Sequence, residues 1–322
     1  MQNTQKRHLS RLVAILSALA MIVAACGDDG GEGGGGGDGE GRLAGIDITV
    51  GSKDFDEQLV LGNILVQAFE AEGANVTDRV DLGGTQVARS ALLSGEIDTY
   101  MEYNGTGWAE HLGNEEAPSN DPDELTPAVR EQDLEENDIR WLGRAPFNNT
   151  YGFASSPETT EENGGAFDMQ SMADYLEANP DATLCMESEF PDRSDGLILF
   201  EEATGYTVPD GQEQILQTGA IYTQTAEEAC QFGEVFTTDG RIGGLGLTLV
   251  EDPGVMIIYN ISMNLRDDKY QEAPEAFDAI ADEILNGMTQ EKMTELNTRV
   301  SFEGEAPDDV AADYLSEIGF TS

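Results

Sequence analysis

The residue types that carry out acid–base, nucleophilic or metal chemistry are unevenly represented in this chain of 322 residues. Histidine occurs only as His8 and His111. His8 lies in a segment read below as removable, which leaves one imidazole where metal sites and acid–base couples usually need two. Carboxylates are abundant, with 63 Asp and Glu, and an extracellular hydrolase could use two of them as acid and base. No pair stands out by spacing, and the sequence contains neither a nucleophile elbow nor a metal-ligand motif. No catalytic residue, metal or cofactor is therefore expected, and a carboxylate-dependent hydrolase is kept only as an alternative. Lysine is scarce: beyond residue 25 it occurs only as Lys53, Lys269 and Lys292. Cys185 and Cys230 either remain buried thiols or pair, closing 45 residues and contributing roughly 4 kcal/mol by chain entropy.

Charge narrows the partners. Against 63 acidic residues stand 16 basic ones, a net charge of −47. Nucleic acids and anionic membrane surfaces need basic stripes, so neither is expected as a partner. Residues 1–25 read as a signal segment, with basic Lys6, Arg7 and Arg11 followed by an apolar run from Leu12 to Ala25. The run ends at Val23-Ala24-Ala25-Cys26, which resembles the lipobox of bacterial lipoproteins and makes Cys26 the expected lipidation site. Gly27 to Gly41 consists of ten glycines and five carboxylates, and residues 26–44 read as a flexible tether with a reach of roughly 20 Å. The expected location is extracytoplasmic and lipid-anchored. Loss of the signal's three basic residues takes the charge from −47 to −50. With so few lysines, this points to a surface adapted to high salt.

Beyond the tether, short apolar strands alternate with amphipathic helices. Ile46 to Val50 alternates as a strand and leads into a helix with Leu61, Ile64, Leu65 and Ala68 on one face. Val76 to Leu82 reads as a strand, Thr85 as an N-cap, and Val87 to Leu93 as a helix stopped by Gly95. Ile97 to Tyr103 is a third strand. The α/β alternation implies mainly parallel sheets, whose ligands bind at the carboxyl ends of strands, where Lys53, Gly84, Tyr103 and Thr106 fall. Further strands are expected at Ile139–Leu142, Tyr151–Ala154, Thr183–Met186, Glu234–Thr237, Leu247–Val250 and Val255–Tyr259. Helices are expected at Met169–Glu177, Asp195–Ala203 and Gly219–Phe232. Two lobes follow, 45–146 with 240–322 and 147–239, joined by crossings near 147 and near 239.

Five segments in order carry a family resemblance: Gly51-Ser52-Lys53-Asp54-Phe55-Asp56-Glu57-Gln58-Leu59, Leu82 to Val87, Ser94 to Asp98, Glu102 to Gly107, and Thr238 to Ile242. Together with Leu296-Asn297 they resemble the osmoprotectant substrate-binding proteins of ABC transporters, which take up glycine betaine, choline, carnitine and related quaternary ammonium compounds. The resemblance implies a two-lobed, type II-like periplasmic-binding-protein fold and no enzyme activity. It also implies a small quaternary ammonium ligand and a permease subunit with its ATPase as partners, with the chain expected as a monomer. A quaternary ammonium cannot donate a hydrogen bond, so aromatic faces must hold it, whereas a carboxylate needs cationic and hydroxyl donors. By matching motif positions, the resemblance assigns Tyr103, Tyr151, Tyr222 and Phe236 to an aromatic cage and Lys53, Thr106 and Arg193 to a carboxylate clamp. Phe236 stands where relatives commonly have Tyr, and Gly243 to Leu247 replaces a further cage tyrosine, so a cage open on one side is expected.

Overall fold

The computed structural model describes residues 41–114 and 119–321. The expected signal segment, Cys26 and nearly all of the tether lie outside the described residues.

The sequence forms two five-stranded sheets. The first contains β1 (Asp47–Gly51), β2 (Asn75–Arg79), β3 (Thr99–Tyr103) and β4 (Ile139–Leu142). The second contains β5 (Tyr151–Ser155), β6 (Leu184–Met186), β7 (Glu213–Ile215), β8 (Phe232–Phe236) and β9 (Thr248–Leu249). The last strand, β10 (Ile261–Arg266), returns to the first sheet between β3 and β4. Within each sheet the βα units pair in parallel, β1 with β2 and β3, β6 with β7 and β8. A strand arriving from the other sheet runs antiparallel to its neighbours: β10 in the first, β5 in the second. Two connections therefore link the lobes, between β4 and β5 and between β9 and β10.

The first connection spans the expected crossing at 147. The second differs from expectation: Thr248 and Leu249 pair with Ser155 and Ala154, so the chain stays with the second sheet past 239 and returns only between Leu249 and Ile261. The turn at Asp239-Gly240 leads into a short helix, Arg241–Gly244, and the strand after it is only two residues long, too brief to signal its sheet. The expected strand at Val255–Tyr259 is part of this return. The ladder begins at Ile261, and its register alternates through Ser262 and Asn264, both buried, so the polar residues masked it. The strand Glu213–Ile215 was also unread, because a half-exposed polar edge strand carries little apolar alternation. The helix expected to run to Phe232 ends at Ala226. The chain then turns through Glu228, whose φ of 63° no helix sustains.

Local packing explains the elements that shape the site. In α1 (Asp56–Ala71), the expected face of Leu61, Ile64, Leu65 and Ala68 is buried, each Leu or Ile contributing about 1.5–3 kcal/mol. Asp56 and Glu57 occupy its first turn, where the helix dipole favours acidic groups. α2 (Thr85–Ser94) ends on Gly95 in the left-handed conformation, φ 76°. Its N-cap is Gly84, and Thr85 is the first helical residue. The Thr85 hydroxyl is thereby free to accept from Arg193 Nη1 at 3.2 Å. A disulfide joins Cys185 on β6 to Cys230 just before β8, with Cα atoms 5.9 Å apart. Among the described residues, no helix is long and apolar enough to cross a membrane.

Candidate ligand-binding site

The strand ends and the two connections meet around a cavity. The first lobe contributes Lys53, Asp54 and Phe55 after β1, Thr85 at the start of α2, and Tyr103 and Thr106 after β3. The connections contribute Asn149 and Tyr259, and the second lobe Tyr151, Glu187, Thr218 and Phe236.

Five aromatic rings form a closed circuit in this wall. Phe55 and Phe236 stack with centroids 4.9 Å apart, and Phe236 meets Tyr151 at 5.3 Å. Tyr151 meets Tyr259 edge-on at 5.6 Å, Tyr259 meets Tyr103 edge-on at 6.1 Å, and Tyr103 faces Phe55 at 6.4 Å. Phe55 and Tyr259 complete the circuit, and neither was expected in the cage from the sequence. Phe55 lies in the Gly51–Leu59 motif beside Lys53, and Tyr259 in the expected strand Val255–Tyr259. The one signal was their position at element ends.

Tyr222 is not in the wall. It is fully buried, its hydroxyl accepts from the Phe236 amide at 2.9 Å, and the Arg241 guanidinium lies 4.4 Å above its ring. The helix Thr218–Ala226 turns it inward against Ala154, Val235 and Leu247, so it braces Phe236 from behind.

The expected clamp divides similarly. Lys53 and Thr106 line the cavity. Lys53 Nζ pairs with Glu102 Oε1 at 2.7 Å and sits 5.2 Å from the Tyr103 ring centre. Glu102 also accepts from Tyr100 at 2.8 Å and from the Tyr103 amide at 2.8 Å, and lies 2.8 Å from His111 Nε2. Burial opposes its ionisation, but the Lys53 ammonium and the His111 contact outweigh burial and hold the carboxyl well below the usual range. Arg193 lies behind Tyr151, its guanidinium 5.3 Å from that ring. It is held by both oxygens of Asp195 at 2.7 and 2.8 Å, and Asp195 also accepts from the Tyr259 hydroxyl at 2.5 Å. Arg193 therefore ties two rings of the circuit, Tyr151 and Tyr259, and, through Thr85, both lobes together.

A further unassigned group, Glu57, ties the first lobe to the first connection and to the second lobe. Its Oε1 accepts from the Tyr103 hydroxyl at 2.7 Å and from Asn149 Nδ2 at 2.9 Å. Its Oε2 accepts from Thr238 Oγ1 and from Asn297 Nδ2, each at 2.7 Å. Burial raises its pKa while these four hydrogen bonds pull it down. Glu57, Thr238 and Asn297 all fall in the motifs that carry the family resemblance, and their convergence on one carboxyl is visible only in three dimensions.

On the second lobe, the Glu187 amide, just past β6, donates to Oε2 of Glu234 in the middle of β8 at 2.9 Å. Burial, then repulsion from Glu189, pushes Glu187 up to about 7; burial, then repulsion from Glu187, pushes Glu234 up to about 8. Among the described residues, no group of three or more His, Cys, Asp or Glu is arranged to hold a metal ion.

Residues 46–317 match the family described as the substrate binding domain of ABC-type glycine betaine transport system. The chain is 33% identical over 285 residues to the glycine betaine-binding protein YehZ of Escherichia coli, covering 85% of this chain and 91% of that protein. It is 32% identical over 281 residues to a glycine-betaine-binding protein of Pseudomonas aeruginosa, covering 84% and 87%. The solved structure of apo YehZ from Escherichia coli superposes with a TM-score of 0.61 at 31% identity, covering 86% of this chain and 100% of that one.

Proposed function

The chain belongs to the family of substrate-binding domains of ABC-type glycine betaine transport systems, and from that premise we propose that its aromatic circuit captures the quaternary ammonium group of an osmoprotectant. Proteins of this family are binding proteins, not enzymes, and they work outside the cytoplasm with a membrane permease. The observation that carries the reading is the closed circuit of Phe55, Phe236, Tyr151, Tyr259 and Tyr103, drawn from both lobes and the second connection. A methylated ammonium offers no hydrogen donor, and each aromatic face contributes roughly 0.5–2 kcal/mol, with the larger values in a site closed to water.

Lys53 has one donor on Glu102 and, with the Thr106 hydroxyl, supplies donors to a ligand carboxylate. Arg193, occupied by Asp195, holds the cage rings and the lobes in the closed arrangement. The loaded protein delivers its ligand to the permease, which a separate ATPase drives, while Cys26 carries the lipid that keeps the monomer at the membrane. A thermal-shift screen with glycine betaine, choline, carnitine, ectoine, amino acids and polyamines tests the ligand class. Stabilisation by one or more quaternary amines without turnover is expected. Stabilisation only by another zwitterion or amine would replace the ligand class, and turnover of any compound would overturn the reading.

A further inference from the structure

The cations of the site are already matched by carboxylates. Lys53 pairs with Glu102 and Arg193 with Asp195. The second-lobe wall, in contrast, presents Glu187 with Glu234 against it, and among the described residues neither of these carboxyls forms an ion pair. The charged groups around Glu187 come from three directions. Lys53 and Asp54 face it from the turn after β1, Glu189 and Arg193 from its own segment, and Glu234 from β8. Asp56 and Arg241 line the groove that adjoins the cavity at Asp54 and Glu187.

We propose that Glu187, backed by Glu234, sets the charge selectivity of the cavity, favouring a quaternary ammonium ligand of net positive charge, such as choline, over a zwitterion, such as glycine betaine, when the pair is ionised. The proposal rests on the quaternary ammonium reading above. When the two carboxyls retain protons, the wall is close to neutral and tolerates a ligand carboxylate. When they lose them, the wall attracts a cation and repels a carboxylate. Both ligands carry a fixed charge across the neutral range, so a pH dependence of their affinity ratio must come from the protein. Burial and the neighbouring carboxylates push Glu187 up to about 7, and a ligand that requires its ionised form loses about tenfold in affinity per pH unit below that point. Cation binding then expels a proton from the pair.

Calorimetric titration of choline and glycine betaine into wild-type protein, Glu187→Gln and Glu234→Gln at about pH 6 and about pH 8 tests this. Two buffers of different ionisation enthalpy at each pH count the protons released. In the wild type, the preference for choline should rise roughly tenfold between the two pH values, with proton release on choline binding at the lower one. In Glu187→Gln, both the rise and the release should largely disappear. Thermal melts establish that each variant is folded; if Glu234→Gln is not, Glu187→Gln at the cavity wall carries the test alone. A wild-type ratio independent of pH, or a dependence that survives in Glu187→Gln, overturns this proposal and leaves the quaternary ammonium reading standing. Binding of neither compound at either pH overturns this proposal, and the thermal-shift screen with the remaining quaternary amines then decides the reading it rests on.

Discussion

The most demanding prediction concerns Glu57, because one carboxyl there connects Tyr103 to the first inter-lobe connection and to the second lobe. Its donors are Tyr103 after β3, Asn149 on the first connection, Thr238 beyond β8, and Asn297 in the helix Gln290–Ser301. All four donor residues are buried. Glu57→Ala removes the acceptor and leaves the donors in a small cavity. An orphaned buried polar group costs about 1–3 kcal/mol, but the burial of the carboxylate that raises its pKa is relieved at the same time. Thr238 also turns its single proton to Asn149 Oδ1, 2.7 Å away. The net cost of Glu57→Ala should be about 3 kcal/mol. Glu57→Gln should cost less, about 1–2 kcal/mol. Either amide orientation sets its NH2 against one donor, Asn297 or Asn149, while the remaining partners are kept. Urea denaturation followed by the fluorescence of Trp108 and Trp141 measures both. Ligand affinity should fall in the same order, since Tyr103 loses the anchor of its hydroxyl. A Glu57→Ala midpoint shift worth less than about 1 kcal/mol, or equal costs for Ala and Gln, would refute the hub.

Four further outcomes follow from the geometry and the charge. Tyr259→Ala should weaken ligand binding by about 1–2 kcal/mol, read by calorimetry, because it opens the aromatic circuit. Tyr222→Phe should leave affinity nearly unchanged but cost about 1 kcal/mol of stability by removing the acceptor for the Phe236 amide; the reverse pattern would return Tyr222 to the cage. Replacing Cys185 and Cys230 together by Ser should cost roughly 4 kcal/mol in denaturant titration, the chain-entropy value for a loop of 45 residues, and a loss near zero would mean the bond adds nothing. Melting temperature should climb with added sodium chloride, since a net charge of −47 repels itself, and a stability maximum in low salt would remove the saline reading.

What could be read in the sequence was whatever is local along the chain. Alternation gave β1, and a 3.6-residue period gave the buried face of α1. The ends of β1 and β3 placed Lys53, Tyr103 and Thr106 at the cavity. What escaped depends on pairing between distant segments. Phe55 and Tyr259 are ordinary aromatics until folding sets them 4.9 Å from Phe236 and 6.1 Å from Tyr103. Arg193 and Tyr222 carry the right chemistry for a clamp and a cage, but their side chains are taken by Asp195 and by the Phe236 amide. The second connection was misplaced because its only strand marker is two residues long.

The excess of carboxylates acts differently at the surface and in the cleft. In the brine that the composition suggests, the Debye length is about 3 Å at 1 M, so exposed acidic groups cannot draw a cationic ligand in from a distance. Inside the cleft no ions fit between Lys53 and Glu102 at 2.7 Å, nor between Glu187 and a ligand seated against it. Screening therefore removes long-range steering and leaves contact electrostatics in place. Selectivity that arose from the overall charge would fade as salt is added. Selectivity set by Glu187 and Glu234 would persist, and the pH dependence of the choline to glycine betaine ratio should be nearly as large in 1 M salt as in dilute buffer, roughly tenfold between pH 6 and 8.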